Sequence, residues 1–451
     1  MGKTLLSVGL DVGTTSTQMI LSKLTVENRA SSFAVPKMEI TDREILYRSP
    51  VYFTPLVSHN LVDGVALRRL IEKEYASVGI TPADVDTGAV IITGETSRKE
   101  NAKTVLNELS HFAGDFVVAT AGPDLESILA ARGAGAVERS EGKRVLHMDI
   151  GGGTSNLCLV EDGKILATGC LNVGGRLLKL DEQGRITYRS PVLEDLTSLR
   201  EGDVPTAQAL SELAQVLTSA LEMAAGLRDQ TDILCKLMTK ETGKPWQIPR
   251  DVIPSFSGGV ADCIAGEHPD GQFGDIGPAL GRAIRMSRLC AGQYFLGTET
   301  IRATVIGAGC HSVRLSGSTV FHQHITFPLK NVPAAVTDNP ETASQVEDAL
   351  RMLDAEGFLV IPGYSAPHYG QVKALADILA KGFGEKPVLV CVEADMAKAL
   401  GHCLRLLLPE DRPCLCMDGL RLETGAYLDV GEPVGPALPV VIKTLVLGGN
   451  P

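Results

Sequence analysis

The sequence predicts an α/β protein made of two repeated lobes followed by a further α/β region. Three observations point there. A strand, glycine turn and strand at "GLDVGTTST" is repeated at "HMDIGGGTSNL", a third strand end carries a glycine pair at "SFSGGVAD", and helical and strand patterns alternate along the rest. With 451 residues the chain exceeds what one core serves, so two or three compact units are expected, placed at 1–144, 145–296 and 297–451.

Each element follows from its residues. "TLLSVGLDV" is apolar enough for a buried strand, and "TQMILSKLTV" after the Gly-Thr-Thr turn reads as its hairpin mate. "EILYRSPVYFTPL" adds strands before a helix that starts at Asp63 and is carried by Leu67, Leu70, Ile71 and Tyr75; "GAVIITG" is a short buried strand. Ser97-x-x-Glu100 is a capping box for a helix with Ala102, Val105, Leu106 and Leu109 on one face and Gly114 at its end. "FVVATAG" reads as a strand and "PDLESILAARGAG" as a helix ending in small residues. "RVLHMDIGGGTSNLCLVEDGKILATGCLNVGG" then repeats the opening pattern. Beyond a Pro- and charge-rich stretch, Leu210, Leu213, Leu217, Leu221 and Leu227 share the face of a long helix. "RDVIPSFSGGVADCI" gives a strand, a Gly-Gly turn and a helix start, and "DIGPALGRAIRMSRL" a helix whose Gly277 and Gly281 permit close contact. From Gly297 the run "TIRATVIGAGCHSVRLSGSTVFHQHITF" reads as short strands; "ASQVEDALRMLDAEG" and "GQVKALADILAKGFG" follow as helices, with "KPVLVCVE" a buried strand.

Composition removes several function classes. The apolar fraction is 44%, the charged fraction 21% and mean hydropathy +0.11, as in an ordinary globular protein. A net charge of −12 opposes binding to nucleic acid, which needs a concentrated basic surface. Asp11 follows the short run "LLSVGL" at once, so no secretory signal is expected, and nothing approaches the ~18 apolar residues of a membrane span. Met1-Gly2 is not a myristoylation site, because position 6 is Leu. Ten cysteines stand singly except for Cys414-x-Cys416, without a C-x-x-C, which fits reduced cytosolic thiols rather than zinc; Cys158, in "NLCLV", reads as a small buried hydrophobe.

The three glycine turns carry the chemistry. Backbone without a Cβ approaches phosphate oxygens closely, Thr hydroxyls add donors, and a strand-end Asp can hold Mg²⁺ through its waters. Either turn alone is equally a hairpin closed by Asx-type chemistry. Two facing hairpins, with Asp11 and Asp149 at their mouths, would clamp a Mg-triphosphate.

In this order the motifs resemble the actin, sugar-kinase and Hsp70 ATPase superfamily over about residues 4–290. The resemblance implies two duplicated ribonuclease H-like lobes, with "LESILAARGAGA" and "IGPALGRAI" as the two connecting helices. It implies that Gly13, Thr14 and Thr15 form the first phosphate loop and Gly151, Gly152, Gly153 and Thr154 the second. Ser257, Gly258 and Gly259 would border adenosine, and Asp11 and Asp149 would organise Mg²⁺ as the catalytic pair. Chaperone ATPases of this superfamily carry Glu before the proline of the first connecting helix; here Gly122 stands there. Asp124, Glu126 and Glu95 are nearby acids, the first two equally suited to capping and to the helix dipole.

Across the whole chain, including "GAVIITGETSRKENA", "AGPDLESILAARGAGAV" and "YLDVGEPVGPALPVVIKTLVLG", the sequence is similar to the ethanolamine ammonia-lyase reactivating factors of ethanolamine-utilising bacteria. That similarity implies a cytoplasmic, ATP-dependent, chaperone-like protein, compatible with a bacterial microcompartment, which helps an inactivated lyase exchange damaged cobalamin for adenosylcobalamin. The 297–451 region would supply partner specificity, and a homo-oligomer is left open. None of the nine His has Asp two positions before it, so no tight cobalamin site is expected on this chain. A small-molecule kinase of the superfamily is the alternative, with Asp251 or Asp262 as base; a filament-forming actin relative would share the same loops. Gly307-x-Gly309-x-x-Ser312 imitates a dinucleotide turn, but the acid needed ~20 residues onward is missing, and a tight turn beside a satisfied His311 suffices.

Overall fold

The structure, a computed structural model, describes residues 3–13, 16–29, 38–58, 61–93, 101, 105, 109, 123–239, 251–311, 313–317, 319–353, 356–422 and 426–444. The first sheet holds β1 (Lys3–Val12), β2 (Ser16–Asn28), β3 (Met38–Arg48), short β4 (Tyr52–Phe53) and, after the β5 (Leu56–Ser58) and β6 (Leu61–Val62) ribbon and helix α1 (Gly64–Val78), β7 (Thr87–Ile92). Their order is β3-β2-β1-β7, with β1 antiparallel to β2 and parallel to β7. Alternation sends Val8, Leu10 and Val12 into one core with Leu67, Ile71 and Tyr75 of α1, and leaves Ser7, Gly9 and Asp11 on the opposite face. The expected helix at 97–114 and the strand "FVVATAG" lie outside the described residues, apart from Asn101 and the buried Val105 and Leu109.

Helix α2 (Pro123–Gly133) leads to the second sheet. It contains β8 (Arg144–Ile150), β9 (Ser155–Glu161) and β10 (Lys164–Leu171), then, after the β11 (Leu178–Leu180) and β12 (Ile186–Arg189) ribbon, α3 (Ala207–Ala224) and α4 (Asp232–Leu237), β13 (Ile253–Ser257); α5 (Gly259–Ala265) and α6 (Gly277–Arg285) precede β14 (Phe295–Leu296). The order β10-β9-β8-β13-β14 repeats that of the first sheet, again with an antiparallel hairpin and a parallel fourth strand. Two lobes with this shared ribonuclease H-like order make the actin/Hsp70-like fold. Leu146, Met148 and Ile150 enter the core built by α3, α5 and α6, while His147 and Asp149 take the other face.

Two expectations are corrected after Gly297. "ATVIGAGCH" is not strand but helix α7 (Ala303–His311), so Gly307 and Gly309 are helical positions rather than a tight turn. The second partner in the interlobe helix pair is this helix and not α6, which packs with α3 and α5 inside the second lobe. The reason is backbone proximity. A Cβ on Gly133 of α2 would lie 1.8 Å from the Ala303 carbonyl oxygen, and one on Gly307 would lie 2.0 Å from that of Leu129. β-Branched Thr304, Val305 and Ile306 favour a strand locally, and this close crossing overrides that preference.

The remaining elements are β15 (Val313–Leu315), β16 (Phe321–Gln323), β17 (Leu329–Val336), α8 (Ala343–Arg351), β18 (Phe358–Ile361), α9 (Tyr369–Gly382), β19 (Val388–Val392), α10 (Ala397–Arg405), β20 (Cys414–Asp418), β21 (Ala426–Val430) and β22 (Pro439–Thr444). They form one sheet in the order β15-β22-β21-β17-β18-β19-β20-β16, whose central strands β17 to β20 are parallel. This sheet is tied to the first lobe: Leu315 and Val441 share an apolar cluster with Leu5, Leu24, Leu129 and Ala308. Among the described residues no helix is long and apolar enough to cross a membrane.

Candidate functional site

Two aspartates end two equivalent central strands. In each lobe the residue after a strand end closes a hairpin in the same way: Gly13 N–H donates to the Ser16 carbonyl at 2.8 Å, and Gly151 N–H to that of Thr154 at 2.9 Å. The neighbouring parallel strand supplies a hydroxyl to each acid. Thr93 Oγ1, just past β7, donates to Asp11 Oδ1 at 3.0 Å, and Ser257, ending β13, donates to Asp149 Oδ1. Thr304 of α7 adds a 3.4 Å contact to Asp149 Oδ2, so the helix that crosses between the lobes touches one of the two acids.

Both carboxyls are buried, and burial disfavours their charge. Asp11 is pushed up to about 7 by desolvation, against the lowering effect of Thr93, with the charge of Asp149 adding to the rise. Asp149 is pushed up to about 6, again by desolvation, despite the hydroxyls of Ser257 and Thr304. This is a pair of anionic oxygen donors lacking sufficient positive charge, which suits a hard divalent cation. Among the described residues no group of three or more His, Cys, Asp or Glu side chains is assembled.

A buried histidine extends the Asp149 side. Ser255 and Ser257 of β13 lie in register with His147 and Asp149 of β8. His147 Nδ1 is 3.1 Å from Ser255 Oγ and Nε2 is 2.9 Å from Ser257 Oγ. With Asp149 ionised, Ser257 gives its proton to the carboxylate and must accept from Nε2–H; Nδ1 then accepts from Ser255. Desolvation lowers His147 to about 3, keeping the ring neutral and compatible with that polarity.

The expected residues divide as follows. Asp11, Gly13, Asp149, Gly151, Gly152, Gly153 and Thr154 stand at the two strand ends, whereas Thr14 and Thr15 lie outside the described residues. Ser257 faces Asp149 with its hydroxyl fully buried. Gly258 has φ 83°, and a Cβ there would lie 2.3 Å from the Ile150 carbonyl oxygen; Gly259 begins α5. Asp124 accepts from Thr168 Oγ1 at 2.6 Å, Glu126 lies in the first turn of α2, and Gly122 and Glu95 are outside the described residues. Of the acids considered as kinase bases, Asp251 pairs with Arg144 at 3.2 Å and Asp262 accepts from Thr300 Oγ1 at 2.5 Å.

Sequence reasoning missed His147, Thr93, Thr304 and Arg176. Arg176 donates its N–H to the Gly152 carbonyl at 2.6 Å and lays its stem over that glycine, with Nε 3.3 Å from Asp275. The signal available for it was a cation directly after the Gly174-Gly175 pair. His147 had a period-two signal, an imidazole two positions before Asp149 in an otherwise apolar strand.

Comparison with known proteins gives a match to the family described as "Ethanolamine utilisation protein EutA" over residues 3–448. The chain is 38% identical over 467 residues to the ethanolamine ammonia-lyase reactivase EutA of Salmonella typhimurium (strain LT2), and 39% identical over 462 residues to that of Escherichia coli (strain K12), with 98% of both chains covered each time. Similar solved structures include a Ppx/GppA family member from Aquifex aeolicus, at 12% identity and TM-score 0.43 over 68% of this chain and 97% of that one. Another is ethanolamine utilization protein EutJ from Carboxydothermus hydrogenoformans, at 18% identity and TM-score 0.35 over 67% and 88%.

Proposed function

The chain belongs to the ethanolamine utilisation protein EutA family, and from that premise we propose that it is an ATP-dependent, chaperone-like reactivating factor. Its target is ethanolamine ammonia-lyase with a damaged cobalamin, which it helps to exchange for adenosylcobalamin. The observation that carries this is the match along 98% of both chains to relatives named as reactivases of that lyase. The nucleotide part rests on the duplicated turns and on the two buried aspartates, of which Asp11 lies within reach of the charge of Asp149.

Backbone N–H groups of Gly152 and Gly153 in the 151–154 turn would receive phosphate oxygens while those of Gly13 and Gly151 close the two hairpins, with Thr14 and Thr15 beside the first. Asp11 and Asp149 would hold Mg²⁺ through its water shell, and Ser257, Thr93 and Thr304 fix the carboxylates. Bound Mg²⁺ supplies charge neutralisation on the phosphates. Gly258 and Gly259 would border adenosine. The two lobes would bind the lyase differently with and without the terminal phosphate, and only that difference in affinity can drive cofactor release. The chain itself would carry no tight cobalamin site.

The test combines cyanocobalamin-inactivated lyase, this protein, ATP, Mg²⁺ and free adenosylcobalamin. Lyase activity is expected to return only with all components; return without ATP, or none with the full set, overturns the reading. Asp11→Asn and Asp149→Asn are each expected to lower Mg-ATP turnover about 10- to 100-fold, and undiminished turnover in both removes the assignment.

A further inference from the structure

Arg176 joins the second glycine turn to the opposite lobe. Its Cβ, Cγ and Cδ cover Gly152 so closely that a methyl group on that glycine would meet them at 3.3 to 3.5 Å. Asp275 fixes the inner edge of the guanidinium: Oδ2 accepts from Nε at 3.3 Å while Oδ1 accepts the Gly277 N–H at 2.8 Å. Of the five N–H donors in a guanidinium, the four on the terminal nitrogens have no hydrogen-bond acceptor among the described residues. The guanidinium carbon lies 5.9 Å from the Phe53 ring centroid. Phe53 is 82% exposed and belongs to β4, which pairs with β2 at Ser16 and Thr17, directly beside the first turn.

We propose that Arg176 binds the terminal phosphate of the nucleotide, and that the Phe53 ring holds the guanidinium when that phosphate is absent. The inference rests on the nucleotide site proposed above. A planar fork with four free donors, carried on a stem that lies along a glycine turn, matches a phosphate in geometry and charge. A cation–π contact on an exposed ring is weak, and a charge-assisted pair with phosphate is stronger, so an arriving phosphate takes the guanidinium from the ring. One lobe-to-lobe contact is thereby exchanged for a contact between the second lobe and the nucleotide, which makes the Phe53 edge of the first lobe sensitive to whether the third phosphate is present.

The experiment measures binding of Mg-AMP-PNP and Mg-ADP to the full-length protein by calorimetry. Arg176→Gln is expected to weaken AMP-PNP by ~10-fold or more and ADP by less than about threefold, the loss of one charge-assisted phosphate contact. Phe53→Ala is expected to leave ADP affinity unchanged and AMP-PNP affinity equal or higher. Equal weakening of both nucleotides by Arg176→Gln, or of neither, in a protein that melts like the parent overturns the inference. Where Arg176→Gln does not fold, Arg176→Lys carries the same comparison: it keeps the charge and loses the fork, and a selective, severalfold loss for AMP-PNP is expected. Should the parent protein bind neither nucleotide, the nucleotide reading itself falls; a parent that binds both while the Arg176 variants bind like it removes Arg176 alone.

Discussion

Asp11 and Asp149 are equivalent in position and unequal in surroundings. Two residues before Asp149 stands His147, which directs the Ser257 proton at the carboxylate; two residues before Asp11 stands Gly9, whose lack of a side chain admits Gly309 of α7. The more perturbed acid is Asp11, at about 7 against about 6. A raised carboxyl pKa means that the fold favours the protonated form, so the associated stability is complete below about 4 and is lost as pH rises through 6 and 7. At 1.36 kcal/mol per pKa unit the loss is roughly 3 to 4 kcal/mol for each acid. The melting temperature of the protein without divalent cation or nucleotide should therefore fall between pH 5 and pH 8, and Asp11→Asn should flatten that fall; a parent that melts equally at both pH values contradicts the burial described. His147→Leu leaves Ser255 and Ser257 buried without their ring partner, an expected cost of about 1–3 kcal/mol in denaturant unfolding. Ser257→Ala should cost at least as much, since it strands the buried Nε2–H of His147 and takes away the donor to Asp149.

At the scale of elements, the crossing of α2 and α7 is the feature the chain could least change. Gly133 and Gly307 each face a carbonyl oxygen at a distance that no Cβ tolerates, so Gly307→Ala should destabilise by about 3 kcal/mol or more, or fail to fold, through overpacking against backbone. Gly292→Ala, where a Cβ meets nothing within 4 Å, is the control and should be near neutral in the same thermal melt. This crossing also marks the limit of what could be read from the sequence. Strand-end acids, glycine turns and the apolar alternation of β1 and β8 were legible because each is a local pattern. Helix α7 was not, because "ATVIGAGCH" pairs strand-forming residues with glycines, and its helical state is set by a partner some 170 positions earlier in the chain. Arg176 escaped for a related reason: a lone cation after two glycines has no meaning until Gly152 and Phe53 are brought to it.

For the molecule as a whole, all ten cysteines are free thiols; only Cys235 is exposed and Cys290 is half-buried. Burial pushes Cys158, Cys263 and Cys391 up to about 12, which further suppresses their thiolates. A native thiol titration should show one fast-reacting group, abolished by Cys235→Ser, with the rest appearing on unfolding; several fast groups would mean that the cores are not closed as described. The three apolar layers are not independent either. Lys3 Nζ reaches the Pro433 carbonyl at 2.9 Å and Arg43 Nε the Cys310 carbonyl at 2.9 Å, so the third sheet and α7 are both held to the first lobe.

That attachment has a mechanical consequence. Helix α7 ends at His311 and β15 begins at Val313, and both α7 and the third sheet are fastened to the first lobe by hydrogen bonds and a shared apolar cluster. Separating the third sheet from that lobe would therefore uncover Leu5, Leu24 and Leu129, which Leu315 and Val441 keep from water.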